Sequence, residues 1–225
     1  MLYRKAYDRL LTWKGQPKRK ALCVMGARQI GKTTLIRQFG KEQYSCFVEI
    51  NFITDTDATK IFAGNLDANT IITNLTAYTR KPMIPGNTLV LLDEIQACPN
   101  ARTAIKFLVE DGRFDYIESG SLLGVRHKEV RSYPVGFEEL YQMYPMDLEE
   151  YLWANGVQKS TIQYLKDCYE TGTPVTDAIH QTMCKLLYSY IVVGGMPDVV
   201  QTYVNTHDIA QVIARQTEIL ELYRL

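Results

Sequence analysis

Eight residues that lie between an apolar segment and an amphipathic one carry the pattern with the clearest chemistry. They read Gly26-Ala-Arg-Gln-Ile-Gly-Lys-Thr33. The apolar run before them predicts a strand and the segment after them a helix, which is the context that a phosphate-binding loop requires. Glycines let the backbone turn its N–H groups onto phosphate oxygens, and the helix N-terminus adds partial positive charge. We therefore expect Lys32 to reach the β- and γ-phosphates of ATP and the Thr33 hydroxyl to bind Mg²⁺.

The whole loop is expected to contact the nucleotide. The predicted nucleotide-binding residues are Gly26, Ala27, Arg28, Gln29, Ile30, Gly31, Lys32, Thr33 and Thr34. Adenine is favoured over guanine, since the sequence contains no Asn-Lys-x-Asp motif.

A second pattern is a continuous apolar run that ends in two carboxylates. Thr88-Leu-Val-Leu-Leu92 precedes Asp93-Glu94, which is typical of a strand buried on both faces of a parallel sheet. This is the Walker B arrangement. Adjacent side chains on a strand point to opposite faces, so the two acids can take separate roles. Asp93 is expected to hold the Mg²⁺ shell, and Glu94 to polarise the water that attacks the γ-phosphate.

Polar and cationic residues after these motifs are weaker candidates. A short predicted strand, 114–118, ends in Ser119-Gly-Ser121. Either serine is a candidate to sense the γ-phosphate, although Ser-Gly-Ser is also an ordinary turn. Arg126 and Arg131 are candidate arginine fingers, and Arg131 is included among the catalytic candidates. A solvated charge is the more common role of such an arginine.

The elements that must position these residues alternate along the chain. Periodicity predicts an N-terminal helix over 2–13, the loop strand over 21–25 and its helix to about 40, and a strand over 44–52. Asp55 and Asp67 can cap short helices. Pro99 begins a helix to about 110, and a fifth strand is expected near 141–144. From Asp147 the pattern is helical, over 147–153, 160–170, 176–190 and 208–225, with a short helix after Gly194-Gly-Met-Pro197.

Composition excludes several other classes of protein. The five cysteines include no C-x-x-C pair and the three histidines are scattered, which argues against a disulfide framework or a zinc site. Lys+Arg and Asp+Glu are both 25, so net charge does not favour nucleic acid. The basic run Lys14, Lys18, Arg19 and Lys20 is expected to be a solvated linker. Without a signal peptide or an apolar stretch long enough to span a membrane, a cytoplasmic location is expected.

Five motifs in this order resemble a bacterial and archaeal family of AAA+-like ATP-binding proteins. They are Gly26–Leu35, Leu92-Asp-Glu-Ile-Gln96, Ser119-Gly-Ser121, Tyr144-Pro-Met-Asp-Leu-Glu-Glu-Tyr151 and Gly194-Gly-Met-Pro197. The resemblance implies a three-layer α/β/α P-loop NTPase fold with a mostly parallel sheet and with the Ser119 strand between the P-loop and Walker B strands. It implies an ATPase core over 1–146 and a small helical lid over 147–225. It also implies a nuclease-like C-terminal domain beyond Leu225, so the chain is expected to be a fragment.

The function expected from these patterns is Mg²⁺-dependent ATP hydrolysis that drives a conformational change. A nucleotide-dependent switch or scaffold with negligible turnover is the first alternative. An ATPase part of a DNA-processing protein is the second, and it depends only on the basic run and the expected C-terminal domain. A small-molecule kinase is disfavoured by the Asp-Glu pair. Association of the chain with copies of itself into a homo-oligomer is a further expectation.

Overall fold

The computed structural model describes residues 2–121 and 134–224. Tertiary contacts divide the chain into two units: a core unit, Ala6–Met143, and a helical unit, Met1–Lys5 with Tyr144–Leu225. The strands are β1 (Ala21–Gly26), β2 (Cys46–Asn51), β3 (Thr88–Asp93), β4 (Asp115–Ser121) and β5 (Glu138–Gln142). The helices are α1 (Lys5–Lys14), α2 (Lys32–Gln43), α3 (Ala68–Thr79), α4 (Pro99–Asp111), α5 (Leu148–Ala154), α6 (Lys159–Thr171), α7 (Asp177–Val193), α8 (Pro197–Thr206) and α9 (Ile209–Arg224). Two 3-10 helices cover Thr56–Phe62 and Ile95–Ala97.

All five strands form one parallel sheet in the order β2-β3-β4-β1-β5. The predicted α/β fold class is therefore confirmed, as is the position of β4 between the P-loop strand and the strand of Asp93. Every residue of β3 is buried, as expected for a central strand that is covered on both faces.

Helices cover the two faces of this sheet. Residues of α3 and α4 pack with Val48, Val90 and Tyr116 in one apolar cluster. On the opposite face α2 lies against β2, where Gly40 is in contact range of the Phe47 ring. Trp13 of α1 and Phe39 of α2 have ring centroids 6.5 Å apart. These contacts form three layers.

The helical unit has its own apolar core. Met146, Tyr151, Val193, Val200 and Val212 are among its buried residues. Two of the motif segments meet there, since the Met146 N–H donates to the Gly195 carbonyl oxygen at 2.7 Å. A Cβ on Gly195 would lie under 3.0 Å from the Met146 backbone. The glycine is therefore required by close backbone approach.

Helix boundaries follow local chemistry. The Asp67 side chain caps α3 by accepting from the Thr70 N–H, as predicted. Asp147 and Glu150 form a reciprocal capping box at the start of α5.

Within the described parts of the chain, no helix is both long and apolar enough to cross a membrane.

Three predicted elements differ in detail from the structure. The first helix begins at Lys5 rather than residue 2, and the helix after Asp55 is a 3-10 helix. The fifth strand covers Glu138–Gln142 rather than 141–144, because its pairing with β1 begins where Ala21 lies opposite Glu138. The basic run is not simply a solvated linker, since Arg19 forms an ion pair with Asp115 at 2.8 Å.

A buried ionic cluster lies between the sheet and α4. Arg102 donates from Nη2 to both carboxylate oxygens of Glu138, at 2.7 and 3.1 Å. Glu118 and Cys23 are neighbours in the β1–β4 register and are both fully buried. Neither carboxylate oxygen of Glu118 has a hydrogen-bond partner within the described residues. Burial raises the pKa of Glu118 well above its ordinary value, and repulsion from Glu138 adds to this while Arg102 opposes it.

A Glu118→Gln variant should remove a pH dependence of stability. The folded state holds the Glu118 proton more tightly than the unfolded chain does. The free energy of unfolding should therefore fall as the pH rises from about 4.3, the ordinary Glu pKa, toward the raised folded-state pKa, by up to about 1.4 kcal/mol per pH unit. Glutamine cannot ionise, so the variant should gain stability relative to wild type as the pH increases. Urea unfolding from pH 5 to pH 8 measures this difference.

The matched control is Glu110→Gln, which alters an exposed carboxylate on α4. Its stability difference from wild type gives the reference for loss of a carboxylate from α4. The same pH profile for Glu118→Gln and Glu110→Gln would mean that the folded protein does not retain the Glu118 proton.

Candidate functional site

The site lies at the carboxyl edge of the sheet, where β1, β2, β3 and β4 end. The register places Asn51, Asp93, Ser119 and Val24 in one row across these strands. Paired residues of parallel strands project to the same face. The row therefore brings an amide, a carboxylate and a hydroxyl together at one level.

Asp93 is the centre of this arrangement. The residue is 4% exposed, and its carboxylate accepts hydrogen bonds from three different elements. Ser119 Oγ donates to Oδ1, and Asn51 Nδ2 donates to Oδ2 at 2.9 Å. The Thr33 hydroxyl, at the beginning of α2, lies 3.3 Å from Oδ1 and 3.2 Å from Oδ2. The predicted pair Thr33 and Asp93 are thus adjacent.

The loop between β1 and α2 has the backbone of a glycine-dependent turn. Gly31 is the N-cap of α2 in the left-handed region, with φ of 87°, and Gln29 also has positive φ of 62°. A Cβ at Gly26 would lie under 3.0 Å from the Met143 carbonyl oxygen and the Ile30 side chain. Two of the predicted loop positions therefore require glycine, one for its dihedral angle and one for space.

Lys32 folds back onto this loop. Its Nζ donates to the carbonyl oxygens of Gly26 at 3.0 Å and Ala27 at 2.7 Å. Burial lowers the pKa of the ammonium group, partly offset by attraction to Glu94 and Asp93, while Arg28 lowers it further. The lysine is a partly desolvated cation beside two carboxylates.

Glu94 directly follows β3. Its backbone is in the left-handed region, with φ of 54°, which is uncommon for a residue with a side chain. Its Oε2 accepts a hydrogen bond from Gln96 Nε2. This backbone geometry turns the chain after Asp93, so the two acids are held by different partners.

The remaining candidates are less closely connected. Ala27, Arg28, Ile30 and Thr34 belong to the loop and the first turn of α2. Ser121 ends β4 opposite Gly26 in the register. Arg126 and Arg131 lie outside the described residues.

Sequence reasoning did not identify Asn51. Its side chain both donates to Asp93 and accepts from the Ile53 and Thr54 N–H groups, each at 3.0 Å. Asparagine at the end of a predicted strand beside a polar turn was the available signal. It became interpretable only with the strand order, which places β2 next to β3.

The chain was compared with curated proteins and with solved structures. A search of curated proteins found no match. Similar solved structures include the Aeropyrum pernix ORC1 protein in complex with DNA, with 17% identity, a TM-score of 0.42 and coverage of 67% of this chain and 47% of that one. C. elegans PCH-2 matches with 13% identity, a TM-score of 0.39, and coverage of 79% and 51%. A variant of Thermotoga maritima RuvB matches with 12% identity, a TM-score of 0.46, and coverage of 73% and 52%. The chain spans about half the length of these proteins.

A family model described as "AAA domain" (AAA_14) matches residues 18–152. This range includes the loop, Asp93, Glu94, Ser119 and the beginning of the helical unit. Because the match covers more than half of the chain, the protein belongs to the AAA domain family.

Proposed function

We propose that this protein binds ATP with Mg²⁺ and hydrolyses it to ADP and phosphate. The observation that carries the proposal is the convergence of Thr33 and Asp93 beside the Lys32 ammonium. A hydroxyl, a carboxylate and a cation at the start of a helix form a donor and acceptor set suited to a metal-bound triphosphate.

The loop is compatible with a phosphate chain. Gly31 gives α2 an N-cap without a side-chain hydrogen bond, so no cap side chain occupies the space in front of the first N–H groups. These groups and the helix dipole favour an anion. When bound, Mg²⁺ would neutralise phosphate charge, with Thr33 and Asp93 as its protein contacts.

Each remaining residue has a role in this proposal. Lys32 would exchange its bonds to the Gly26 and Ala27 carbonyl oxygens for bonds to phosphate oxygens. Glu94 would accept a proton from, or orient, the attacking water. Ser119 would hold Asp93 in place, and Ser121 is a further candidate for contact with the γ-phosphate. Arg131 remains a candidate arginine finger.

The helical unit would act as a lid that responds to the nucleotide, so that hydrolysis is coupled to a conformational change. The same proposal places the boundary between the ATPase core and the lid near residue 146. It also includes self-association of the protein and the further C-terminal domain that the family resemblance implies. A role in DNA processing has weaker support, because the formal net charge is zero.

A switch with negligible turnover is the second candidate function. The bond from Gln96 to Glu94 Oε2 favours it, because a donor on one carboxylate oxygen stabilises the ionised form and makes it a weaker base toward water. In this case ATP would bind through the loop and change the state of the helical unit without rapid hydrolysis.

Lys32→Ala and Glu94→Gln should separate binding from hydrolysis. Lys32→Ala should lose both, because it removes the cation from the loop. Glu94→Gln should retain ATP binding but lower kcat by about 10²–10⁴-fold, the usual contribution of a positioned base. Phosphate release and equilibrium binding of a fluorescent ATP analogue measure the two effects.

Lys41→Ala is the control, since Lys41 is an exposed cation at the end of α2. ATP binding by wild type without measurable turnover would support the switch. ATP binding that is unchanged in Lys32→Ala would contradict the proposed site for both functions.

Asn51→Asp tests the residue that sequence analysis missed. Aspartate retains an oxygen for the Ile53 and Thr54 N–H groups but replaces the donor to Asp93 by an acceptor. Hydrolysis should fall by at least about tenfold, which corresponds to about 1.4 kcal/mol, and the urea unfolding midpoint should also fall, because a second carboxylate then faces the buried Asp93. Asn51→Ala should reduce both quantities. Wild-type turnover in Asn51→Asp would show that Asn51 does not position Asp93.

A further inference from the structure

A cavity lies in the core unit at the opposite edge of the sheet from Asp93. Its volume is about 460 Å³, and it is lined by the chain before β1, the end of α4, the start of β4 and the turn before β5. Ala21, Gly112 and Gly136 contribute small or absent side chains to its wall. We call it the basal cavity.

The basal cavity carries an excess of positive charge. Arg19 and Asp115 neutralise each other at 2.8 Å. Lys18 and Lys20 also line the cavity and are exposed, and the Lys106 ammonium lies 5.7 Å from the centroid of the Phe137 ring, another wall residue. Within residues 2–121 and 134–224, no acidic side chain forms an ion pair with these three lysines. The site therefore favours an anion.

The rest of the wall is apolar and aromatic. Phe114, Phe137 and Val109 line the basal cavity. Tyr116 also lines it and is 2% exposed, and its hydroxyl has no hydrogen-bond partner within the described residues. The wall therefore offers mainly apolar and aromatic contact area to a ligand.

We propose that the basal cavity binds a small organic anion, an aromatic ring that carries a phosphate or carboxylate group. Lys18 and Lys20 attract the anionic group, and Phe114 and Phe137 contact the ring. The volume is in the range of small-molecule sites, about 300–1,000 Å³. An inorganic anion alone would leave the apolar wall without contact.

A nucleic-acid strand fits these observations less well. Strand binding depends on many phosphate contacts along an extended groove, whereas this cavity is formed by one short basic segment and by apolar side chains. The free ligand is therefore expected to be a small molecule.

The experiment uses the ¹⁵N-labelled 225-residue chain with Lys32→Ala, which weakens phosphate binding at the predicted ATP loop, and amide shifts at the basal cavity are read separately from those of the loop. Phenyl phosphate and benzoate are titrated separately, while backbone amide shifts are recorded. Saturable shifts are expected at Lys18–Ala21, Gly112 and Gly136. The stronger of the two ligands identifies the anionic group. Absence of saturable shifts at these amides with both ligands would overturn the proposal.

Lys18→Glu with Lys20→Glu should weaken binding at least about tenfold, because two attractions to the anion become repulsions. Lys41→Glu with Lys185→Glu is the matched control, since both lysines are exposed and the net charge changes equally. Equal weakening by the control pair would overturn the proposal.

Phe137→Ala should weaken phenyl phosphate binding more than it weakens inorganic phosphate binding. If inorganic phosphate binds the basal cavity with Phe137 in place as tightly as phenyl phosphate does, the proposed contact with the aromatic ring is wrong. Shifts at these amides with a short single-stranded oligonucleotide, but not with phenyl phosphate or benzoate, would replace the proposal by strand binding.

Discussion

The buried carboxylate of Asp93 is the constraint on which the site depends. At 4% exposure it needs hydrogen bonds to replace water, because an unsatisfied buried charge is strongly destabilising. The donors come from β2, β4 and the start of α2. Strand order, register and the position of α2 must therefore all be correct for this one group to be stable. The same contacts bring the loop of Lys32 to the carboxylate, so local stability and the geometry of the site have a common cause.

β4 connects this site with the buried ionic cluster on the other face of the sheet. Ser119 bonds to Asp93, while the preceding residue, Glu118, lies in the cluster with Arg102 and Glu138. Successive side chains on a strand alternate between faces, so two polar groups that need different partners follow one another in sequence. Arg102 bonds both oxygens of Glu138, and this fixes α4 against β5. Desolvation of these charges costs free energy, which the attraction between Arg102 and the carboxylates offsets in part.

Local patterns were sufficient for most of the fold but not for every contact. The apolar run over β3 and the glycines around the loop predicted strand, turn and helix, because these depend on adjacent residues. Asp67 was predicted as a cap for the same reason, and the structure confirms it. Asn51 and the Glu118 cluster were not predicted, since each depends on which strands are neighbours. The proximity of Thr33 and Asp93 agrees with the predicted arrangement, but their role as Mg²⁺ contacts stays a proposal.

Unfavourable local geometry occurs at two positions of the proposed site, and elsewhere in the described chain Arg80 and His207 have positive φ where α3 and α8 end. Gln29 and Glu94 both have positive φ, a conformation that costs residues with a Cβ about 1–2 kcal/mol. Burial also disfavours the charged form of Lys32. These costs are offset by the surrounding core, in which Leu22, Leu91 and Ile117 are fully buried. A rigid sheet can hold a loop in a conformation that the loop alone would not retain. We infer that the uncapped start of α2 and the partly buried ammonium of Lys32 are kept by this rigidity, and that an anion at the loop would relieve part of their cost.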